Sequence, residues 1–285
     1  MLFFSQLFTR GLSVYIPKKP SELILIRHGE SEGNVRLDAL HEDARYQLFR
    51  EVYKNYPLGE EFPLAIQHLA RELINAYKIG KKPDHALELT QKGMEQSRQT
   101  GIGLKELVEP PHVIYVSPYA RTLQTLKYIK KGWPELRSAK VKITDALREQ
   151  QFGIVEQYLY HNLYFAFHPI HRAEFLADEY ASYYYEFEGG ESIARTRERV
   201  RVWFERAKEV YAEKRVFAIL HNGTKLAVIS ELENLDFRQY MDTLRKGRFH
   251  NCGTTIYRTT SAWAIDDKMK CDREKEYNLR LWDIA

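Results

Sequence analysis

Cysteine is scarce in this sequence, which has 285 residues and only two cysteines, Cys252 and Cys271. Neither belongs to a Cys-x-x-Cys pair, and a disulfide framework is not indicated. Since disulfides persist in oxidising compartments, so few cysteines fit a reducing one, and we expect the cytoplasm.

Long hydrophobic runs are missing as well. None approaches the roughly 20 apolar residues that a membrane-spanning helix needs, so we expect no membrane association. Residues 1–20 are apolar and contain no acidic residue, but they lack the charged start and continuous apolar stretch of a secretory signal. With one arginine and two lysines they form a weak mitochondrial leader. We expect an N-terminal arm packed on the domain, with a leader as the alternative.

The sequence has no large excess of charge, since its formal net charge is +4. This value suits a small anionic substrate but not a nucleic acid, which needs a clustered basic face. The composition, 44% apolar and 29% charged, is that of an ordinary globular protein. We expect a single domain over 21–285, with insertions at about 35–83 and 154–188.

The pattern that organises the chain is a run of four apolar residues at 23–26, followed at once by Arg27, His28 and Gly29. Such a run is typical of a strand that is buried on both faces of a parallel sheet. In open α/β sheets, ligands bind beyond the carboxyl ends of the strands, where these residues would lie. Arginine offers fixed donors for phosphate oxygens, and a neutral histidine can act as a nucleophile.

Later strand patterns end near residues of the same kind. Strands are predicted at 112–117, 141–144 and 216–220, and they are followed by Arg121, Glu149 and His221. Arg121 falls in the first turn of a predicted helix, where the helix dipole disfavours a cation unless an anion is bound there. A late strand is also predicted at 252–258.

Apolar residues at three- and four-residue spacing predict amphipathic helices at 36–56, 62–77, 90–108 and 193–211. In the last of these, Arg195, Arg199 and Arg206 fall opposite the apolar stripe. Because glutamates lie between them, we expect this side of the helix to be a solvated face.

The segment 154–188 is rich in aromatic residues and suits a cap whose rings pack together and partly line a cleft. It contains His168 and His171, but no cysteine or carboxylate lies at the spacing of metal ligands, so we expect no metal site. Aromatic rings can also stack on single-stranded nucleic acid, but this segment is not basic.

Two arginines, two histidines and one carboxyl at one edge of a sheet suit phosphoryl transfer. Cations stabilise the charge of the transferring group, a histidine can accept that group, and a protonated carboxyl can protonate the departing alkoxide. The sequence has no Walker-type glycine-rich loop and no evident carboxylate cluster for magnesium. A route without metal or cofactor is therefore favoured.

Six motifs carry a resemblance to a known family. In chain order they are RHGESEGN, LELTQKG, SPYARTLQT, LREQQFG, GGES and LHNGT. The sequence resembles the histidine phosphatase superfamily, also called phosphoglycerate-mutase-like, over most of residues 22–258. The resemblance implies a three-layer α/β sandwich with a mostly parallel central sheet, helices on both faces, and the helical and aromatic insertions over the active site.

The same resemblance implies roles for individual residues. His28 would become the phosphohistidine, and Glu149 would donate the proton. The side chains that would bind the phosphoryl group are Arg27, Ser31, Asn34, Arg121 and His221. The aromatic segment would be a lid.

Two departures from the family pattern matter. Asn222 stands between His221 and Gly223, where family members commonly have glycine directly after the histidine. Glycolytic mutases have Trp in place of Gly33 and Arg in place of Gln150, so this chain is closer to the broad-specificity phosphatases. We expect a phosphomonoesterase acting on a small phosphorylated metabolite. The alternatives are a phosphoglycerate-type mutase primed by a bisphosphate and, in another class, a non-catalytic interaction module.

Overall fold

The computed structural model describes residues 20–78, 82–178, 180–258 and 270–271. The expected N-terminal arm therefore lies outside the described residues, apart from Pro20. The strands are β1 (Glu22–Arg27), β2 (Val113–Val116), β3 (Lys140–Ile143), β4 (Arg215–Leu220), β5 (Thr254–Arg258) and β6 (Lys270–Cys271). The helices are α1 (Glu32–Glu42), α2 (Ala44–Asn55), α3 (Leu64–Tyr77), α4 (Gln91–Leu107), α5 (Ala120–Gly132), α6 (His161–Phe165), α7 (Pro169–Phe175), α8 (Ala181–Tyr184), α9 (Ile193–Val210), α10 (Asn222–Leu232) and α11 (Phe237–Arg245).

The described strands form one sheet in the order β3-β2-β4-β1-β5-β6. Strands β3, β2, β4 and β1 are parallel to their neighbours, whereas β5 runs antiparallel to β1 and β6 runs antiparallel to β5. The predicted, mostly parallel sheet is therefore confirmed. Because β1, β2 and β4 lie inside the sheet, their sequences are almost wholly apolar.

Helices cover both faces of the sheet, as expected. On β1, Leu23 and Leu25 belong to the hydrophobic core under α9 and α10. Their neighbours Ile24 and Ile26 belong to a second core, under α4 and α5. Successive side chains of a strand point to opposite faces, so an unbroken apolar run is what a three-layer sandwich requires at its central strand.

The predicted helix over 36–56 is wrong, because two helices occupy this stretch. Asp43 has extended backbone angles, so α1 ends there, and its carboxylate accepts a hydrogen bond from the Arg45 backbone N–H at 2.7 Å to begin α2. Aspartate competes for backbone donors in this way and favours helix starts over helix interiors. The apolar spacing continues across the break because Leu40 and Phe49 pack into one core.

The two insertions together form one cap. Leu73 of the first insertion and Phe165 of the second lie in the same hydrophobic cluster. Arg172 of the second insertion is buried, and its guanidinium donates to the backbone oxygens of Tyr53 and Pro57 at 2.6 and 3.0 Å. The cap therefore has its own core and lies over the active site. Among the residues that the structure describes, every helix is too short or too polar to cross a lipid bilayer.

Candidate active site

The strand register brings the predicted residues together. Arg27, the last residue of β1, pairs with Leu220, the last residue of β4. The backbone N–H of His28 donates to the Leu220 oxygen at 3.0 Å, so His28 and His221 leave the sheet side by side. Their rings meet edge to face, with centroids 5.2 Å apart. The carboxyl ends of these parallel strands therefore carry both histidines at one edge.

The ring of His28 presents a free nitrogen. Its Nδ1 lies 2.7 Å from the backbone oxygen of Gly29. Because a carbonyl only accepts, Nδ1 carries the hydrogen and Nε2 keeps its lone pair. Burial, then the nearby charges of Arg121 and Arg27, hold the pKa of His28 well below its usual value. The imidazole is therefore neutral, as a nucleophile must be.

Both nitrogens of His221 are engaged. Nδ1 accepts from the Arg121 Nε–H at 3.3 Å, and Nε2 lies 2.8 Å from the hydroxyl oxygen of Ser117. Since a guanidinium only donates, Nε2 carries the hydrogen and donates to Ser117. Burial and the charge of Arg121 lower the pKa of His221 well below its usual value. Ser117 was not singled out from the sequence, although its position directly after β2 is the signal that marks the other site residues.

Arg121 lies in the first turn of α5, buried, next to an anion, as the helix dipole requires. That anion is a protein carboxylate: Arg121 donates to Asp84 Oδ1 and Oδ2 at 3.3 and 3.0 Å and to the Asp84 backbone oxygen at 2.7 Å. Asp84 was missed by the sequence reasoning. It ends the first insertion and follows no strand, so no pattern marks it. A phosphoryl group at Arg121 would share the guanidinium with this carboxylate.

The remaining predicted ligands surround the same point. Arg27 is buried, and its guanidinium donates to the Phe249 backbone oxygen, while its Nε has no partner among the described residues. Desolvation by burial lowers the pKa of Arg27 to about 10. Asn34 Oδ1 accepts from the backbone and hydroxyl of Ser31 at 3.1 and 3.0 Å and from Asn251 at 2.8 Å. Asn34 can thus offer a ligand only its amide hydrogens, whereas Ser31 chiefly caps α1.

Glu149 lies in the loop between β3 and the cap, against the start of α10. Its carboxyl oxygens accept from the backbone N–H groups of Gln150 at 3.1 Å and Gly223 at 3.3 Å. A Cβ at position 223 would lie 2.7 Å from Glu149 Oε1, so a side chain there would push the Glu149 carboxyl out of this position. The family pattern has glycine where this chain has Asn222. The Asn222 side chain accepts a hydrogen bond from the Phe249 backbone N–H at 2.9 Å, and the glycine next to Glu149 is Gly223. Burial raises the pKa of Glu149.

Arg199 is not part of a solvated face, and that prediction is wrong for this residue. Its guanidinium binds both carboxylate oxygens of the buried Glu191, at 2.5 and 3.3 Å, and donates to the Ala146 and Arg148 backbone oxygens at 2.8 and 3.1 Å. Helical spacing shows which side of a helix is polar, but not which loop packs against that side. Arg199 and Glu191 hold the loop that carries Glu149.

Replacing Arg199 with methionine should therefore destabilise the protein. Glu191 keeps its ion pair with Arg148 at 3.2 Å, but the Ala146 and Arg148 backbone oxygens and one side of the Glu191 carboxylate lose a charged donor, which should cost about 2 kcal/mol. Arg206→Met on the exposed side of the same helix is the matched control, and should change stability by no more than about 0.5 kcal/mol. Urea unfolding of both variants measures the difference. Equal stability of Arg199→Met and Arg206→Met would show that the contacts of Arg199 with Glu191 and the loop contribute nothing to folding.

A cavity of about 850 Å³ opens above these residues and is bounded by the cap. Arg27, His28, Asn34, Arg121 and Glu149 all line it, as do aromatic residues of the second insertion. Within the described part of the chain, no cluster of three or more histidine, cysteine or acidic side chains is arranged to hold a metal ion. The ring of His168 instead stacks on Tyr164, and His171 lies 2.6 Å from the hydroxyl of Tyr185.

Comparisons with known proteins show matches to one family. The model of the histidine phosphatase superfamily (branch 1) matches residues 75–265, and β1 precedes the matched range. Two Arabidopsis thaliana proteins, phosphoglycerate mutase-like proteins AT74H and AT74, are 26% identical over 198 and 193 residues, or 65% of this chain. These segments cover 53% and 46% of the two proteins, so the chain spans about half the length of the curated relatives it matches.

Solved structures share the fold. A structure from Escherichia coli str. K-12 substr. MG1655 has a TM-score of 0.59 at 16% identity, covering 89% of this chain and 95% of that one. The alpha-ribazole phosphatase from Shigella flexneri has a TM-score of 0.55 at 17% identity, covering 84% and 91%. A mycobacterial glucosyl-3-phosphoglycerate phosphatase in complex with inorganic phosphate also has a TM-score of 0.55 at 17% identity, covering 88% and 95%.

Proposed function

Because this chain belongs to the histidine phosphatase superfamily, we propose that it is a phosphomonoesterase that acts on a small phosphorylated metabolite through a phosphohistidine at His28. One observation carries the proposal. A neutral histidine with a free Nε2 lies beside two buried arginines, and a buried carboxyl with a raised pKa lines the same cavity. These are the nucleophile, the charge-stabilising groups and the acid that phosphoryl transfer needs.

The reaction has two steps. In the first, His28 Nε2 attacks phosphorus, the bond to the ester oxygen breaks, and that oxygen takes the proton of Glu149 as the alcohol leaves. Arg27, Arg121 and the amide of Asn34 bind the equatorial oxygens, where the charge of the transition state is spread. In the second step, the Glu149 carboxylate takes a proton from water, which attacks phosphorus. Inorganic phosphate leaves, and the electron pair of the N–P bond returns to His28.

A phosphoglycerate-type mutase is the second candidate, because the Arabidopsis relatives are described as phosphoglycerate mutase-like. A mutase must return the phosphoryl group to its product and keep water away from the phosphohistidine. The cavity of about 850 Å³ has ample room for water beside a small substrate, which favours hydrolysis.

Given a panel of phosphomonoesters, a chelator and no bisphosphate, the protein should release one inorganic phosphate for each alcohol formed. Charge stabilisation comes from guanidinium groups in this mechanism, so chelation should change the rate by less than about twofold. A malachite-green assay alongside measurement of the alcohol tests both points. Activity that is lost on chelation and restored by zinc or magnesium would contradict the mechanism. Transfer between phosphoglycerate positions that far outpaces phosphate release would favour the mutase, and no turnover at all would favour the interaction module.

A further inference from the structure

The cavity above His28 is larger than a phosphoryl group requires. Its volume of about 850 Å³ falls in the upper part of the range of about 300–1,000 Å³ that is usual for pockets holding drug-sized ligands. The strand edge occupies one end, and the rest is enclosed by the cap and α11. The rest of the cavity is therefore available to the leaving group of the substrate, and the side chains that line it determine which leaving groups bind there.

Apolar atoms form most of that wall. The apolar side chains that the cap and α11 contribute include Leu37, Leu159, Tyr160, Phe175, Tyr185, Phe187 and Leu244. Several of them are fixed by ring contacts, with centroids 5.5 Å apart for Phe175 and Tyr185 and 5.0 Å apart for Tyr185 and Phe187. A rigid apolar wall stabilises a ligand whose apolar surface it removes from water.

Several charged side chains of the cavity are linked instead to the groups that would bind phosphate. Arg36 interacts electrostatically with Asp84 and Arg121, and Arg248 interacts with Arg27. A second charge on the substrate would thus be placed near its phosphoryl group. Among the charged residues of the cap, Glu156 also interacts electrostatically with Asp84 and Arg121, and Lys82 is paired with Glu32 and Glu88. The apolar part of the cap wall is therefore left to contact an uncharged body.

Leu159 gives a second, independent indication that this wall is built for binding. Its φ of 68° and ψ of −40° place it at the centre of a γ-turn, which the Tyr160 N–H closes on the Tyr158 oxygen at 2.8 Å. Such a turn with positive φ is rare and strained, above all for a residue with a branched side chain. Strain of this kind collects at binding and catalytic sites, and here it holds an apolar side chain in the cavity wall.

We propose that the cap wall is a leaving-group subsite, and that the substrate is the monophosphate ester of a bulky apolar or aromatic alcohol. This inference rests on the proposed phosphatase activity and specifies its substrate class. The phosphoryl end is held at the strand edge, and the body of the alcohol is buried against Leu159, Phe175 and Leu244. Polyhydroxylated alcohols, whose hydroxyl groups would lose their water on entering, are disfavoured.

Two matched series of substrates test the proposal. Straight-chain alkyl phosphates of two, four, six and eight carbons share almost the same leaving-group basicity, so differences in kcat/KM report burial of the chain. Each buried methylene should raise kcat/KM about fourfold, equivalent to about 0.8 kcal/mol. Polyol phosphates of four and six carbons should show no such rise. A flat alkyl series, or a preference for the polyols, would overturn the proposal.

Leu159→Asn tests whether the wall is responsible. Asparagine tolerates positive φ better than leucine, so the fold should persist, which thermal unfolding checks. The gain per methylene should fall to about twofold or less, since the new amide must be desolvated when the chain is buried. Leu58→Asn, at an exposed turn of the first insertion, is the control and should keep the wild-type gain. An unchanged gain in Leu159→Asn would overturn the assignment of the wall.

The two proposals fail in different ways. If the wild-type protein releases phosphate from none of these esters, the phosphatase function itself is wrong. If it releases phosphate from all of them with no dependence on chain length, the function stands and the subsite alone is wrong.

Discussion

The variant His28→Ala is expected to release phosphate at least about 10⁴-fold more slowly than the wild type, because the covalent route has no other nucleophile to use. The fold should survive, since the only hydrogen bond shown for the ring joins it to Gly29. Circular dichroism and thermal unfolding establish that point, and phosphate release measures the effect. His68→Ala is the matched control, because His68 is exposed on α3, and it should retain full activity.

The covalent intermediate gives a second readout of the same variant. Wild-type protein quenched in base during turnover of a ³²P-labelled ester should carry label, because a phosphoramidate is stable in base and labile in acid. His28→Ala should carry none. Full activity or undiminished label in His28→Ala would remove His28 from the proposed role, and His221 would then be the next residue to test.

The sequence places two histidines at equivalent positions after buried strands, and position alone does not distinguish them. Family resemblance named His28, and the hydrogen bonds of the structure support that choice for a physical reason. Both nitrogens of His221 are bound, to Arg121 and Ser117, whereas His28 Nε2 keeps its lone pair. The position of polar residues directly after buried strands was therefore enough to find the site. Which ring nitrogen of each histidine carries the hydrogen depends on contacts between distant segments.

The parts that sequence reasoning missed share this dependence. Asp84 and Arg121 are 37 residues apart, and Arg199 reaches a loop more than 50 residues earlier in the chain. The joint core of the two insertions depends on Arg172, whose partner Tyr53 is 119 residues away. Apolar periodicity reports only which face of an element is buried. It cannot report which element covers that face, and so the side of α9 that carries Arg199 was predicted to be solvated.

The pKa shifts of the two central groups decide whether the mechanism can operate near neutral pH. His28 must be neutral and Glu149 protonated at the same moment. With the ordinary values of 6.5 and 4.5, at most roughly 1% of molecules would meet both conditions at any pH. Burial lowers the pKa of His28 and raises that of Glu149, which moves the two values toward one another and raises the fraction of molecules that meet both conditions. Opposite pKa shifts of this kind allow His28 to be neutral and Glu149 to be protonated at the same pH.

The signs of these shifts fix the shape of the pH–rate profile. Activity should be lost as pH falls through the lowered pKa of His28, because the protonated imidazole has no lone pair to offer. It should also be lost as pH rises through the raised pKa of Glu149, because the carboxylate has no proton to donate. The alkaline limb therefore belongs to Glu149, and it should appear only with substrates whose leaving group needs a proton.

Glu149→Gln tests that assignment, and its effect should depend on the leaving group. Glutamine keeps the shape of the side chain but has no transferable proton, and general-acid help is typically worth about 10²- to 10⁴-fold. An alkoxide is strongly basic and needs that proton, so alkyl phosphates should lose at least about 10²-fold in kcat/KM, which reports the first step and not the second, where Glu149 acts as a base on every ester alike. A nitrophenolate is stable as an anion, so nitrophenyl phosphate should lose much less and show no alkaline limb even with the wild type. Gln150→Ala, beside Glu149, is the control and should affect both substrates alike. Equal losses on alkyl and aryl esters in Glu149→Gln would mean that Glu149 orients a neighbour rather than donating a proton. The acid would then have to be sought among the other carboxyl groups that line the cavity. One of these is Glu156, whose pKa is raised by burial.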